Sequence, residues 1–383
     1  MTINTLLEIY GIVAGATWIG VVVYLIIGFK KIKMLKDQPL SNAFPPLAII
    51  IPVRNEEENL ENALQSVCNI NYPNYRIIAV NDRSTDSTGE ILSKLNAKYP
   101  QLTVTTIADL PHGWLGKNNA LYQGYLSSTE EWMLFTDADV EYQPDAISKA
   151  VGYAINNNLD NLAVLPNIIS RSGLLNSVLS SFTIMLMIYL RPWDAIKPGT
   201  KAHIGVGAFC LVKRSAYEKA GTHANIKLRP DDDVMLGKNI KMAGLRQGVL
   251  GGREAIGLEW YTSLKQFVDG LMKNTFATAG YNPVMAIGFI MACIVCFTLP
   301  IPVMLIFGGV NIKLLAGAVL FAQIIYMLTI KPNKWWYAFV IPFAGGLMGY
   351  IFLKSMLITL KQGGIYWRDS FYSLKMLKEG SNY

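Results

Sequence analysis

Towards its two ends this chain has four long stretches with no Asp, Glu, Lys or Arg: residues 9–29, 274–312, 314–330 and 335–353. They run 21, 39, 17 and 19 residues. A helix needs about 20 apolar residues to cross a bilayer, and a soluble core helix rarely runs so far without a charge. Each stretch is therefore a candidate span. Composition agrees: 52% of the 383 residues are hydrophobic and only 16% are charged, against roughly 25% charged in a typical soluble domain. That balance excludes a disordered chain and argues against a wholly soluble enzyme.

The first stretch does not read as a cleaved signal. Glu8 precedes it, no basic segment leads it and no small-x-small site follows. Instead Lys30, Lys31, Lys33 and Lys36 follow at once. Positive residues stay on the cytoplasmic side, so residues 1–29 read as an anchor and the chain from Lys30 onward as cytoplasmic. The expectation is a multi-pass protein of the cell (inner) membrane. Cys68, Cys210, Cys293 and Cys296 make no disulfide framework and fit a reducing compartment. Cys293-x-x-Cys296 reads as filler facing lipid or helix. In the C-terminal region, 284–360, residues 286–308 and 314–330 form a hairpin across Gly308-Gly309. The segment from Trp335 either spans or, given Pro342, Gly345 and Gly346, re-enters. The tail, 361–383, carries Lys361, Arg368, Lys375 and Lys378, which favours the cytoplasmic side.

Residues 30–283 remain, enough for one large α/β domain. Strand–helix alternation predicts a parallel sheet with helices on both faces. Leu47-Ala-Ile-Ile-Ile-Pro-Val is a strand buried on both sides. Leu60, Ala63, Leu64 and Val67 recur at helical spacing. Arg76 to Val80, Leu102 to Ile107 and Glu131 to Thr136 are further strands, and a helix opens near Thr85 to Thr88. Ligands of such sheets bind beyond the carboxyl ends of the strands. Arg54, Asn55 and Glu56 follow the first strand, Asp82 closes the second, and Asp137-Ala-Asp139 follows the fourth.

The Asp137/Asp139 pair offers hard oxygen ligands to Mg2+ or Mn2+, which a diphosphate would complete; alternatively the two are turn or capping residues. Asp82 can accept from a nucleobase ring N–H, while Ser84, Thr85 and Asp86 suit a helix cap. Lys117, at a loop-to-helix turn, can meet phosphate oxygens or lie solvated on the surface. Asp231, Asp232 and Asp233 repel one another, which raises some of their pKa values and is one route to a general base; a solvated N-terminal cluster is the other reading. Gly205-Val-Gly207 lets a ligand approach the backbone closely. Leu174 to Leu190 is apolar enough either to lie in the headgroup layer or to be a buried core helix. His112, His203 and His223 share no metal spacing, and no Walker or dinucleotide motif appears. The formal net charge of +7 sits at the membrane flanks, so it implies no nucleic-acid partner.

Together these motifs resemble glycosyltransferase family 2. The carrying residues are Ile51-Pro-Val-Arg-Asn-Glu56, Val80-Asn-Asp-Arg-Ser-Thr-Asp86, Gly116-Lys117, Asp137-Ala-Asp139, Gly205-Val-Gly207 and Asp232-Asp233-Val. Trp260-Tyr-Thr-Ser-Leu-Lys and Gly363-Gly-Ile-Tyr-Trp-Arg368 are similar to the membrane-anchored lipid branch of ceramide, hopanoid and carotenoid glucosyltransferases. The resemblance implies a GT-A fold, with a Rossmann-like mixed sheet and transmembrane helices at both ends. It also implies inverting transfer of a sugar, glucose in that branch, from a UDP-sugar to a lipid acceptor in the membrane. It places Pro52, Arg54, Glu56, Asp82, Lys117, Asp137 and Gly207 around the nucleotide sugar, and Asp139 on the metal with Asp137 nearby. Asp233 becomes the base, with Asp232 beside it. Two departures stand out. Asn81-Asp82 replaces a frequent Asp-Asp. The Gln-x-x-Arg-Trp of processive synthases is absent, with Glu259-Trp-Tyr-Thr-Ser in its place, which speaks against a processive polysaccharide synthase. Acids at all the expected positions speak against a non-catalytic nucleotide-sugar-binding protein.

Overall fold

The apolar run at residues 47–53 forms a strand, Leu47–Val53, whose side chains alternate between two cores. Leu47, Ile49, Ile51 and Val53 join one, Ala48 and Ile50 the other. This is the period-two geometry of extended chain. The next strand repeats it, with Ile77 and Ala79 opposed to Ile78 and Val80. The structure is a computed structural model that describes residues 3–331, 333–367 and 370–379; Arg368 and residues 380–383 of the tail lie outside them.

The described residues fall into two compact units. One comprises Ile32–Ile169, Leu190–Trp260 and the residues from Lys375 on. Its strands are β1 Lys33–Met34, β2 Leu47–Val53, β3 Tyr75–Asp82, β4 Leu102–Ile107, β5 Trp132–Phe135, β6 Val140–Tyr142, β7 Asn161–Leu165, β8 Asn167–Ile168, β9 Cys210–Lys213, β10 Gln247–Gly251 and β11 Ile256–Leu258. Among the described residues, eight strands pair in the order β1-β10-β7-β9-β5-β2-β3-β4. All pairs are parallel except those of β9, which runs antiparallel to β5 and β7. The sheet is therefore mixed, as the family resemblance implies, and not wholly parallel as strand–helix alternation alone predicts. A small sheet of β6, β11 and β8 adjoins it in sequence. Helices Leu60–Cys68, Thr88–Lys98 and Ala146–Asn156 cover one face of the large sheet, through residues such as Leu64, Leu92 and Val151. Helices Gly116–Leu126 and Asp232–Met242 cover the other, through Ala120, Leu121, Leu236 and Ile240.

Three buried amides tie neighbouring segments to the sheet. Gln247 and Asn161 are register partners on β10 and β7, and each is 1% exposed. Gln247 Nε2 lies 3.1 Å from Asn161 Oδ1, 3.1 Å from the Ile204 carbonyl and 2.9 Å from the Gly237 carbonyl. It thereby ties the segment entering β9 and the helix Asp232–Met242 to the sheet. Asn118 Nδ2 donates to the carbonyls of Ile226 (2.8 Å) and Arg229 (2.9 Å), pinning the chain ahead of Asp231. Buried carbonyls left without donors are costly.

The other unit comprises residues up to Lys31, Ser170–Tyr189 and Tyr261–Leu374. Helices Ile3–Phe29, Gly173–Ala195, Val310–Ile330 and Trp335–Gln362 are long and apolar enough to cross a membrane. A fifth crossing is Pro283–Thr298 with Pro300–Phe307, bent by 48°, if the pair counts as one. The bend falls between Thr298 and Pro300. Pro342 sits in the first turn of its helix, where its missing N–H has no partner to lose. Within Gly173–Leu190 the hydroxyls of Ser177, Ser180, Ser181 and Thr183 donate to carbonyls three or four residues back, which hides them from apolar surroundings. This helix and residues 261–283 group with the apolar helices, whereas the sequence reading runs one domain unbroken through 30–283. Leu174 to Leu190 suits a buried core helix as well as a headgroup layer, so its composition alone does not separate the two.

Cys293–Thr298 is a π-helical turn, and such turns disturb the regular helical ladder. Tyr10 donates to the Val295 carbonyl (2.6 Å) and Trp18 Nε1 to the Cys296 carbonyl (2.7 Å). Cys293 is buried and Cys296 exposed, both as free thiols.

Replacing Gln247 by Leu strips the donors from Ile204 and Gly237. A loss of about 1–3 kcal/mol is expected, read as a lower Tm in thermal scans of the detergent-solubilised protein.

Candidate active site

Two loops interlock where β2 and β3 end. Asn55 and Arg83 both take positive φ, 53° and 56°, turning the chain sharply at the strand ends. Asn55 N–H donates to Ser84 Oγ (3.1 Å) and Thr85 N–H to Asn55 Oδ1 (2.8 Å). Glu56 N–H donates to Thr88 Oγ1 (2.9 Å) and Ser87 N–H to Glu57 Oε2 (3.0 Å). Asp86 accepts from the N–H groups of Thr88 and Glu57. Burial alone would raise its carboxyl, but these bonds outweigh that and hold it below the usual range. The residues read as a possible helix cap therefore also bridge the two loops.

Asp82 is 2% exposed. Arg83 Nε lies 2.8 Å from its Oδ1, and Arg54 Nη1 3.4 Å from its Oδ2. Gly116, which opens the helix Gly116–Leu126, leaves the space that Asp82 Oδ2 fills; a Cβ there would collide with that oxygen. Pro52 stands opposite Val80 in the β2–β3 register, so Pro52, Arg54, Glu56 and Asp82 share one end of the sheet.

Lys117 follows Gly116 and points into an acidic cluster. Its Nζ lies 2.7 Å from Asp137 Oδ1 and 3.7 Å from Asp232 Oδ1. Asp233 Oδ2 accepts from Gly207 N–H (2.8 Å) and Oδ1 from Val234 N–H (2.8 Å). Lys117, Asp137, Gly207, Asp232 and Asp233 line one pocket, with Phe135, Cys210 and His223 behind them. The two glycines at the entry to β9 serve the protein's own groups. A Cβ on Gly205 would strike the Asp233 carbonyl, and one on Gly207 would sit 2.8 Å from Asp137 Oδ2.

The charges in this cluster are strongly coupled. Burial would lower the Lys117 pKa, but Asp137, Asp232 and Asp233 outweigh it and hold the ammonium charged. Burial and the Asp137 charge push Asp139 up to about 6. Burial pushes Asp232 up to about 7, against the pull of Lys117 and with repulsion from Asp233 and Asp137. Burial likewise raises Asp233.

The donor set fits a divalent cation only in part by itself. Among the described residues, no group of three or more His, Cys, Asp or Glu is placed to hold a metal. Two aspartates at one turn, with the rest of the shell left to substrate phosphates and water, are what Mg2+ or Mn2+ usually takes. Asp137 and Asp139, two hard carboxylates one residue apart in the turn after β5, fit such an ion.

His223 was given no role by its sequence context. It is 1% exposed, its Nδ1 lies 2.6 Å from the Tyr217 hydroxyl, and burial beside Lys117 lowers its pKa to about 3. It is a neutral part of the pocket wall. Nothing in the spacing of three scattered histidines signals that.

Residues 48–221 match the family Glycosyl transferase family 2. The segment is a glycosyltransferase family 2 domain. A 4,4'-diaponeurosporenoate glycosyltransferase of Staphylococcus aureus (strain N315) is 25% identical over 255 residues, covering 66% of this chain and 66% of that protein. Its counterpart in strain USA300 aligns with the same figures. The match thus spans just under two thirds of the relatives' length. The structure of the mannosyltransferase PcManGT from Pyrobaculum calidifontis, in complex with GDP-Man and Mn2+, superposes with a TM-score of 0.55 at 17% identity. It covers 92% of this chain and 98% of that one, and the likeness gives the family 2 domain its GT-A fold.

The raised pKa of Asp232 has a definite sign. The group favours the folded state in its protonated form, so its contribution is lost as pH rises through about 7. Asp232→Asn should therefore stabilise the cation-free protein at pH 8 by on the order of 1 kcal/mol, and flatten the change of Tm between pH 5 and 8. Differential scanning at a series of pH values checks both.

Proposed function

We propose that this chain is an inverting, metal-dependent glycosyltransferase that moves a sugar from a UDP-sugar to the hydroxyl or carboxyl of a membrane lipid. The observation that carries the reading is the convergence of Lys117, Asp137, Asp232 and Asp233 on one pocket at the carboxyl end of the sheet, with Asp82 against the same helix N-terminus. The Staphylococcus aureus relative is named for transfer to 4,4'-diaponeurosporenoate, which supports a long apolar acceptor. Glucose is the sugar that the resemblance to lipid glucosyltransferases favours.

Each residue then has a task. Asp82, held by Arg54 and Arg83, accepts from the base. Pro52, Glu56 and Gly207 shape the cleft around the donor. Asp139, with Asp137, would hold a Mg2+ or Mn2+ ion, which stabilises the charge that develops on a departing diphosphate. Lys117 meets the same charge from the helix N-terminus. The acceptor oxygen attacks the anomeric carbon from the face opposite the leaving group, so the configuration inverts. Asp233, oriented by Gly207 and Val234, takes the proton of a hydroxyl acceptor, and its raised pKa suits that work. An acceptor carboxylate is already ionised and has no proton to give.

The apolar helices support a multi-pass protein of the cell membrane. Lys30, Lys31, Lys33 and Lys36, directly after the first of them, support a cytoplasmic family 2 domain.

Membranes incubated with a panel of labelled nucleotide sugars should carry label into the lipid extract, and mass analysis of that lipid names both substrates. No transfer from any donor would overturn the reading. With a hydroxyl acceptor, Asp233→Asn should keep donor binding and lose at least about 10²-fold in turnover; undiminished turnover removes Asp233 from the base role. Asp139→Ala should abolish the dependence of donor binding on the cation, measured by calorimetry with and without Mn2+.

A further inference from the structure

Lys117 already holds one of the carboxylates that a metal ion would need. Its ammonium lies 2.7 Å from Asp137 Oδ1, so it takes up lone pairs that Asp137 could offer to a metal ion. It is one positive charge among four carboxylates, those of Asp137, Asp139, Asp232 and Asp233, and it acts electrostatically on all four. Gly207 leaves it room, since a Cβ there would stand 3.3 Å from its Nζ. A second cation seated beside the ammonium is strongly repelled, because like charges a few ångströms apart interact steeply in a partly buried site. A lysine, unlike an arginine, is a point charge on a flexible four-carbon stem and can change partners without losing geometry.

We propose that Lys117 is a tethered counter-ion that exchanges partners. It neutralises Asp137 and Asp232 while no donor is bound. It then turns to the incoming diphosphate and yields Asp137 to the divalent cation, so that cation and nucleotide bind as a pair. The inference rests on the metal-dependent reading above and adds that the protein's own lysine suppresses cation binding in the empty cleft. Linkage makes the effect reciprocal: the factor by which nucleotide tightens the cation equals the factor by which the cation tightens nucleotide.

The test uses the full chain in detergent, with Mn2+ binding followed by electron paramagnetic resonance alone, with UDP and with GDP. The wild type should hold Mn2+ weakly alone and at least tenfold more tightly with a nucleotide. Lys117→Met should hold Mn2+ alone at least tenfold more tightly than the wild type, and nucleotide should add less. Lys117→Arg, which keeps the charge, should bind Mn2+ alone no better than the wild type. Lys117→Gln stands in if the methionine variant does not fold, judged by its thermal transition. Folded Lys117→Met or Lys117→Gln protein that binds Mn2+ alone no more tightly than the wild type overturns the counter-ion role and leaves the glycosyltransferase reading intact. Failure of both UDP and GDP to tighten Mn2+ in the wild type overturns the metal-dependent reading, and the partner exchange with it.

Discussion

One ammonium among four carboxylates holds the cleft of this protein together. Asp137 comes from the turn after β5, Asp232 and Asp233 from the first turn of a helix far along the chain, and Lys117 from the start of another. Without that ammonium, the acids would face one another across a buried space, and some would have to be protonated for the loops to close. The backbone is shaped to allow the meeting. Gly207 and Gly116 supply the missing side-chain volume, and the N–H groups of Gly207 and Val234 fix Asp233.

Beneath the charges lies a quieter scaffold of amides. Gln247, Asn161 and Asn118 bind carbonyls of a loop residue, Ile204, of strand and helix residues, Leu211 and Gly237, and of the chain ahead of Asp231. Asn118 is nearest to the acids, holding the carbonyls of Ile226 and Arg229 just ahead of Asp231. A loop carbonyl such as that of Ile204 has no strand partner, so a buried side-chain donor satisfies it.

The strands and the acids at their ends were legible in the sequence for a physical reason. Apolar runs such as Leu47–Val53 and Trp132–Phe135 mark buried strands, and a polar burst right after one can only lie at the rim of the sheet. Gln247, Asn118 and His223 were not legible, because each works through partners distant in sequence and no periodicity announces a lone buried polar residue. The antiparallel β9 was also hidden, since strand direction leaves little trace in composition. Helix Gly173–Leu190 shows a further limit: its apolar character was plain, but its grouping with the other long apolar helices came from contacts alone.

The π turn at Cys293–Thr298 ties the two ends of the apolar unit through specific atoms. Tyr10 and Trp18, from the first helix, supply donors to carbonyls of that turn. In hydrocarbon no water would replace them. Trimming the first helix to obtain a more tractable protein would therefore leave bare carbonyls in an oily interior, and solubility gained at one end would be lost to misassembly at the other.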